Sequence, residues 1–196
     1  MYSWKIVGQY LMNLAKNSFD LTLLGVPCEF GNQEMLETYR FPNHKPFATS
    51  YKEFVKKYGY GRSLGIFYIY IPMDSYGDSW NIRTEEIKAT YYEDVFNDDI
   101  WFEIKPDGTK ELLLNLVPFG WSENGHYLFW DITSEPTLGE YDIYLSNFKE
   151  IGFKKIASCL YEMIDVLTDS SHIKTLFSPS YTAFPKEFKC LIKIEN

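Results

Sequence analysis

The chain has 196 residues, of which 45% are hydrophobic and 18% aromatic, and its formal net charge is -8. That apolar fraction excludes a disordered chain and the length suits one domain with a sizeable core. The acid excess excludes a nucleic-acid binder that relies on an overall basic footprint, and it fits a protein that meets a basic partner.

Three cysteines, Cys28, Cys159 and Cys190, lie far apart without a C-x-x-C pair, which argues against a disulfide framework or a zinc site and fits a reducing compartment. The first residues lack the apolar core of a signal peptide, and no uncharged apolar run nears the roughly 18 residues of a membrane span. The expectation is a soluble cytoplasmic protein with no membrane contact, no cofactor and no metal.

Residues 3–17 predict a helix, with Trp4, Val7, Tyr10, Leu11 and Leu14 on one face and Ser3 as cap. Residues 18–31 read as a short strand or loop, 33–39 as a short helix, and 41–48 as a loop. Residues 50–61 predict a helix whose apolar face holds Phe47, Tyr51, Phe54, Val55 and Tyr58, with Gly59 as its stop. A strand is expected over 63–73, a loop over 74–79, and a second helix over 80–96 with Ile87, Tyr91 and Val95 turned inward. Residues 100–105 read as a strand, Pro106-Asp107-Gly108 as a turn, and 110–117 as a returning strand.

The organising stretch is Leu112–Ile132. An apolar strand breaks at Pro118-Phe119-Gly120, Trp121 follows in a polar loop, and Glu123-Asn124-Gly125 makes a turn in which Asn-Gly accepts positive φ. The strand 126–132 is apolar on both faces around Leu128, Phe129 and Trp130, as a covered central strand is. A loop over 133–140 and a strand over 141–146 come next. Residues 152–167 carry the cleanest helical stripe, Phe153, Ile156, Ala157, Leu160, Met163, Ile164 and Leu167. The tail from 168 reads as an extra piece with a short strand at 190–194.

Pro118-Phe119-Gly120, Asn124-Gly125 and Trp130-Asp131, together with Tyr51-x-x-Phe54 and the glycines 59 and 61, resemble the signature of the SMI1/KNR4, or SUKH, superfamily. Pro42 and Pro46 lie further ahead of Tyr51 than the proline of that pattern, so the loop into the helix is longer. The resemblance spans roughly residues 33–167 and leaves 168–196 as a C-terminal extension. It implies an α+β fold, a single domain with a central, mostly antiparallel sheet and packed helices. It also implies the work of many bacterial members, immunity proteins that bind and neutralise a cognate toxin, often a nuclease, by stoichiometric blockade. Fungal relatives instead act as regulatory scaffolds of cell-wall synthesis.

Motifs of catalysis are scarce. His44, His126 and His172 are scattered, no H-E-x-x-H or G-x-S-x-G occurs, and Tyr58–Gly61 closes a helix where a phosphate cradle would open one. His126 and Asp131 are five apart on one strand and so face opposite ways. With 27 acidic residues, a carboxylate-based hydrolase stays open as an alternative. The expectation is a protein without catalytic residues.

Charge placement says more. Residues 85–111 hold nine acids against three bases, and Glu85, Glu86, Glu93, Asp94, Asp98 and Asp99 form a candidate toxin-binding patch along the second helix. An ordinary solvated helix face explains the same pattern equally well. Residues 45–62 are basic, with five Lys or Arg against one Glu. Trp121 is the candidate anchor, either exposed at an interface or folded over the sheet end.

Overall fold

A computed structural model describes residues 18–194, so the helix expected over 3–17 lies outside the described residues. The strands are β1 (Thr22–Leu24), β2 (Gly61–Ser63), β3 (Phe67–Ile69), β4 (Leu116–Ser122), β5 (Tyr127–Asp131), β6 (Asp142–Ser146), β7 (Phe153–Ala157) and β8 (Glu187–Cys190). The helices are α1 (Gln33–Thr38), α2 (Thr49–Tyr58), α3 (Trp80–Ala89), α4 (Tyr92–Phe96), α5 (Lys110–Asn115), α6 (Leu160–Thr168) and α7 (Ser170–Leu176). All eight strands join one sheet in the order β1-β8-β2-β3-β4-β5-β6-β7. Among the described residues only β1 and β8 pair in parallel. The architecture is mixed helix and sheet, as the α+β expectation required, and no helix among the described residues is long and apolar enough to cross a membrane.

β5 lies between β4 and β6, and Leu128 to Asp131 are buried, so the central hairpin is where the sequence places it. Its turn differs in type. Ser122 and His126 close a three-residue loop, the Gly125 N–H donates to the Ser122 carbonyl at 2.8 Å, and Gly125 takes a φ of 77°. This is a turn finished by one left-handed glycine, so Asn124 needs no positive φ.

One face of the sheet, the back, packs against α2, α6 and α7. The predicted stripe of α2 is buried there: Phe54 and Tyr58 meet Phe188, and Tyr51 meets Trp130 edge to face at 4.8 Å. Gly59 ends α2 at a φ of 69°, where an added Cβ would meet the Glu29 carbonyl at 2.3 Å. A polar junction ties α2 to α6. The Ser50 N–H and hydroxyl donate to the buried Glu140 carboxylate at 2.8 and 2.6 Å, and the Leu160 N–H donates to the Ser50 hydroxyl at 3.0 Å. Burial pushes the Glu140 carboxyl above its ordinary range, and the two Ser50 bonds pull it back. The front face carries α3 and α4, with Tyr91 edge-on to Phe129.

Several expected elements are recast. The strand expected over 63–73 is a hairpin, β2 and β3, because Leu64 and Gly65 both turn through positive φ. Residues 110–115 are a helix, begun by the Thr109 hydroxyl accepting from the Leu112 N–H at 3.1 Å, so Thr109 and the leucine run outweigh the apolar content read as strand. Residues 100–105 form no strand. Pro106 has no N–H to give a ladder, and the Asp107 side chain takes the β7 bond from Lys155 N–H at 2.9 Å.

The helix expected over 152–167 divides. Phe153–Ala157 is edge strand β7, paired with β6, and only Leu160 onward is helical. Cys159 is the extended N-cap residue, and the Glu162 carboxylate reaches back to accept from the Ser158 N–H at 2.7 Å. That back-bond is the missed start signal. The helix expected over 80–96 is broken at Thr90-Tyr91 into α3 and α4. The tail is no appendage: β8 fits between β1 and β2, three residues before the strand expected at 190–194.

Phe119 is wholly buried and stacks on Trp130 with ring centres 4.2 Å apart and planes 6° apart. Phe119→Ala removes that face-to-face contact and leaves a cavity, and is expected to cost about 3–5 kcal/mol by urea denaturation. A loss under about 1 kcal/mol would show that the stack is not a structural centre.

Candidate functional site

β4 does not break at Pro118-Phe119-Gly120. It runs through with a bulge, since Pro118 pairs with Phe129 but Gly120 pairs with Leu128. Pro118 cannot donate to a ladder, and a bulge is where a central strand tolerates it. Alternation from Pro118 puts Phe119 on the back face, onto Trp130. Gly120 follows on the same face, where a Cβ would crowd the Leu128 side chain at 3.1 Å and the Tyr68 carbonyl at 2.9 Å. Alternation then resumes one residue late and carries Trp121 to the front face. Trp121 is thus a strand residue, not the loop residue expected, and it pairs with Tyr68 on one side and Tyr127 on the other.

The bulge also holds α3. The Pro118 carbonyl accepts from Trp80 Nε1 at 3.2 Å and from the Thr84 hydroxyl at 2.9 Å. With α3 fixed on one side, the front face opens into a cleft of about 590 Å³. Its aromatic side chains are Tyr60, Tyr68, Tyr70, Trp121 and Tyr127, α3 contributes Arg83, Glu86 and Ile87, and the C-cap of α3 adds Thr90. Trp121 and Tyr68 lie near-parallel, ring centres 6.0 Å apart and planes 27° apart. This size and mixed lining suit a ligand or an inserted side chain.

The charges of the cleft are ordered. Arg83 places Nε and Nη2 on Asp78 Oδ1 at 3.0 and 2.6 Å and Nη1 on Glu86 Oε2 at 2.8 Å. Asp78 then Glu86 hold the guanidinium even more firmly protonated than usual. The Tyr60 hydroxyl donates to Asp78 Oδ2 at 2.6 Å. Burial, then Asp78, pushes the Tyr60 phenol up. At the rim Glu123 accepts from Arg62 at 2.7 Å and from the Tyr68 hydroxyl at 3.1 Å, and Arg62 keeps its carboxyl below the usual range.

Of the candidate residues, only Glu86 and Trp121 meet in this cleft. Glu85 and Glu93 line a second cleft of about 790 Å³ bounded also by Phe41, Trp80, Tyr92 and Leu116. Asp94, Asp98 and Asp99 gather elsewhere: Asp94 accepts from Trp101 Nε1 at 2.7 Å and Asp98 binds Lys110 at 2.6 Å. The expected continuous patch is therefore divided, because the helix that was to carry it is two helices. Sequence reasoning passed over Tyr68, Tyr70 and Tyr127, which only strand register joins, and Phe96 and Trp101, which stay 62% and 65% exposed.

Asp131, Ser122 and His126 are engaged in structural hydrogen bonds. Asp131 accepts from the N–H and hydroxyl of Thr133 at 2.9 and 2.6 Å. The Ser122 hydroxyl lies 3.1 Å from His126 Nδ1 and accepts from the His126 N–H at 3.0 Å, with both residues buried on the back face against Phe177. Among the described residues no group of three or more His, Cys, Asp or Glu is arranged to hold a metal ion. No family model, curated protein or solved structure matches the chain.

Burial lowers the His126 pKa from 6.5, with Glu150 opposing. The folded chain therefore binds this proton less readily than the unfolded chain. Stability from His126 is present above the ordinary value and lost as pH falls through the lowered one. Urea midpoints should fall between pH 7 and pH 5, and the fall should be smaller in His126→Asn. Equal falls in the two proteins would remove His126 as a source of acid sensitivity.

Proposed function

We propose that the chain is a non-catalytic binding protein of the SMI1/KNR4 immunity type, which neutralises a basic bacterial toxin by covering it one to one. The observation that carries this reading is the exposure of Phe96 and Trp101 beside Asp94, Asp98 and Asp99. Large aromatics left in water cost free energy unless something covers them, and aromatic anchors within a charged rim are the usual anatomy of a binding surface. The acids would steer a basic partner, and the aromatics would supply affinity once water leaves. A nuclease toxin fits, because its nucleic-acid groove is basic. The two sequence segments that resemble the superfamily point the same way.

The test begins with capture of partners from cells that make the protein, at low and at high salt. A supporting partner is basic, recovered near one to one, lost at high salt, and toxic when expressed without this chain. Glu93→Lys with Asp99→Lys should slow association at low salt about tenfold or more, with the gap closing as salt rises. Trp101→Ala should instead speed dissociation. If the partner is recovered unchanged by all three substitutions, the surface is elsewhere. If expression of this chain rescues no toxin-intoxicated cell, the immunity reading fails.

A further inference from the structure

The geometry points to a second contact: we infer that the cleft formed by Tyr68, Trp121 and Tyr127 on the sheet and Glu86 on α3 receives a guanidinium side chain from a basic partner. The inference rests on the basic-partner reading above only for the source of that side chain. Three observations support it.

The first is an uncommitted hydroxyl. Tyr70 lines the cleft, and its hydroxyl makes no hydrogen bond among the described residues. Its oxygen is open to the cleft and so can accept from a ligand that donates to it. The second is charge. The cleft holds the carboxylates of Asp78 and Glu86 against one guanidinium, Arg83, and so carries a surplus of one negative charge. Arg83 spends three of its five N–H groups on those two carboxylates, so most of its charge is already engaged within the cleft. The third is ring placement. Tyr68, Trp121 and Tyr127 lie side by side across three strands and line the cleft, with Trp121 and Tyr68 near-parallel. A planar cation stacks on aromatic rings, and guanidinium does so better than ammonium. The same group then has Glu86 Oε1 and the Tyr70 oxygen within the cleft as acceptors for its N–H groups.

The test uses the whole chain and a small probe, Nα-acetyl-arginine methylamide, followed by the NMR shift of the Trp121 indole N–H, assigned by its absence in Trp121→Phe. Nα-acetyl-citrulline methylamide has the same shape without the charge. The expected result is a saturable shift with the arginine probe, at least tenfold weaker binding of the citrulline probe, and weaker arginine binding in Glu86→Gln. Glu93→Gln, outside the cleft, should bind as the parent does. Trp121→Ala, followed through chemical shifts of the Tyr68 and Tyr127 backbone amides, should lose the interaction. Equal binding of the two probes, no saturation, or binding that survives Trp121→Ala would overturn the inference. So would saturable binding of cellobiose at the same residues, which would make the cleft a saccharide site. The titration contains no toxin, so its failure leaves the immunity reading standing, and failure of toxin rescue leaves cation binding standing.

Discussion

The bulge between Pro118 and Gly120 is the constraint on which the rest of the molecule depends. With Phe119 stacked on Trp130 on the back of the sheet, one extra residue in β4 sends Trp121 to the front. It also presents the Pro118 carbonyl to two donors of α3, which fixes that helix as a wall. A strand without the bulge would keep strict alternation, and Trp121 would share the buried side with Phe119. Core packing, helix placement and the open aromatic face are thus consequences of one local irregularity. Each residue of the Pro-Phe-Gly run has its own reason: Pro118 because it gives no ladder N–H, Phe119 because it fills the back face, and Gly120 because a Cβ has no room.

α3 is shared property. Its buried residues Trp80, Thr84 and Ile87 hold it to the sheet, while Glu86 looks into one cleft and Glu85 into another. Neighbours in sequence therefore serve different surfaces. Beyond the break at Thr90-Tyr91, α4 carries a third grouping around Trp101 and Asp94. The acidity of residues 85–111 is real, but the fold distributes it over three places of different shape. A partner that reads charge at a distance would feel all three; one that inserts a side chain would feel only a cleft.

What the sequence made legible was local and periodic. The stripe of α2 repeats at strict helical spacing and ends at a glycine, so both its face and its stop could be read. The central hairpin advertised itself by Asn-Gly between apolar runs. The division of residues 152–167 was hidden because Phe153, Ile156, Ala157 and Leu160 keep helical spacing through a strand, a capping turn and a helix start. Pairing with β6 overrode that pattern. At the candidate site, Trp121 was singled out, but its companions were not. Tyr68 reaches it through strand register across some fifty residues and Tyr127 across the hairpin, and Trp121 faces them only through the bulge. A proline inside an apolar run reads as a break, so the feature that builds the site looked like the end of a strand.

The place of β8 bears on how the chain is made. Glu187–Cys190 lies between β1 and β2, and Phe188 fills the space against Phe54 and Tyr58. A ribosome delivers β1 and β2 more than a hundred residues before the strand that joins them. Until then β2 has an open edge and α2 lacks part of the surface it packs against. β1, β2 and α2 are therefore committed to wait for residues 187–190, and this part of the sheet locks only after they have emerged.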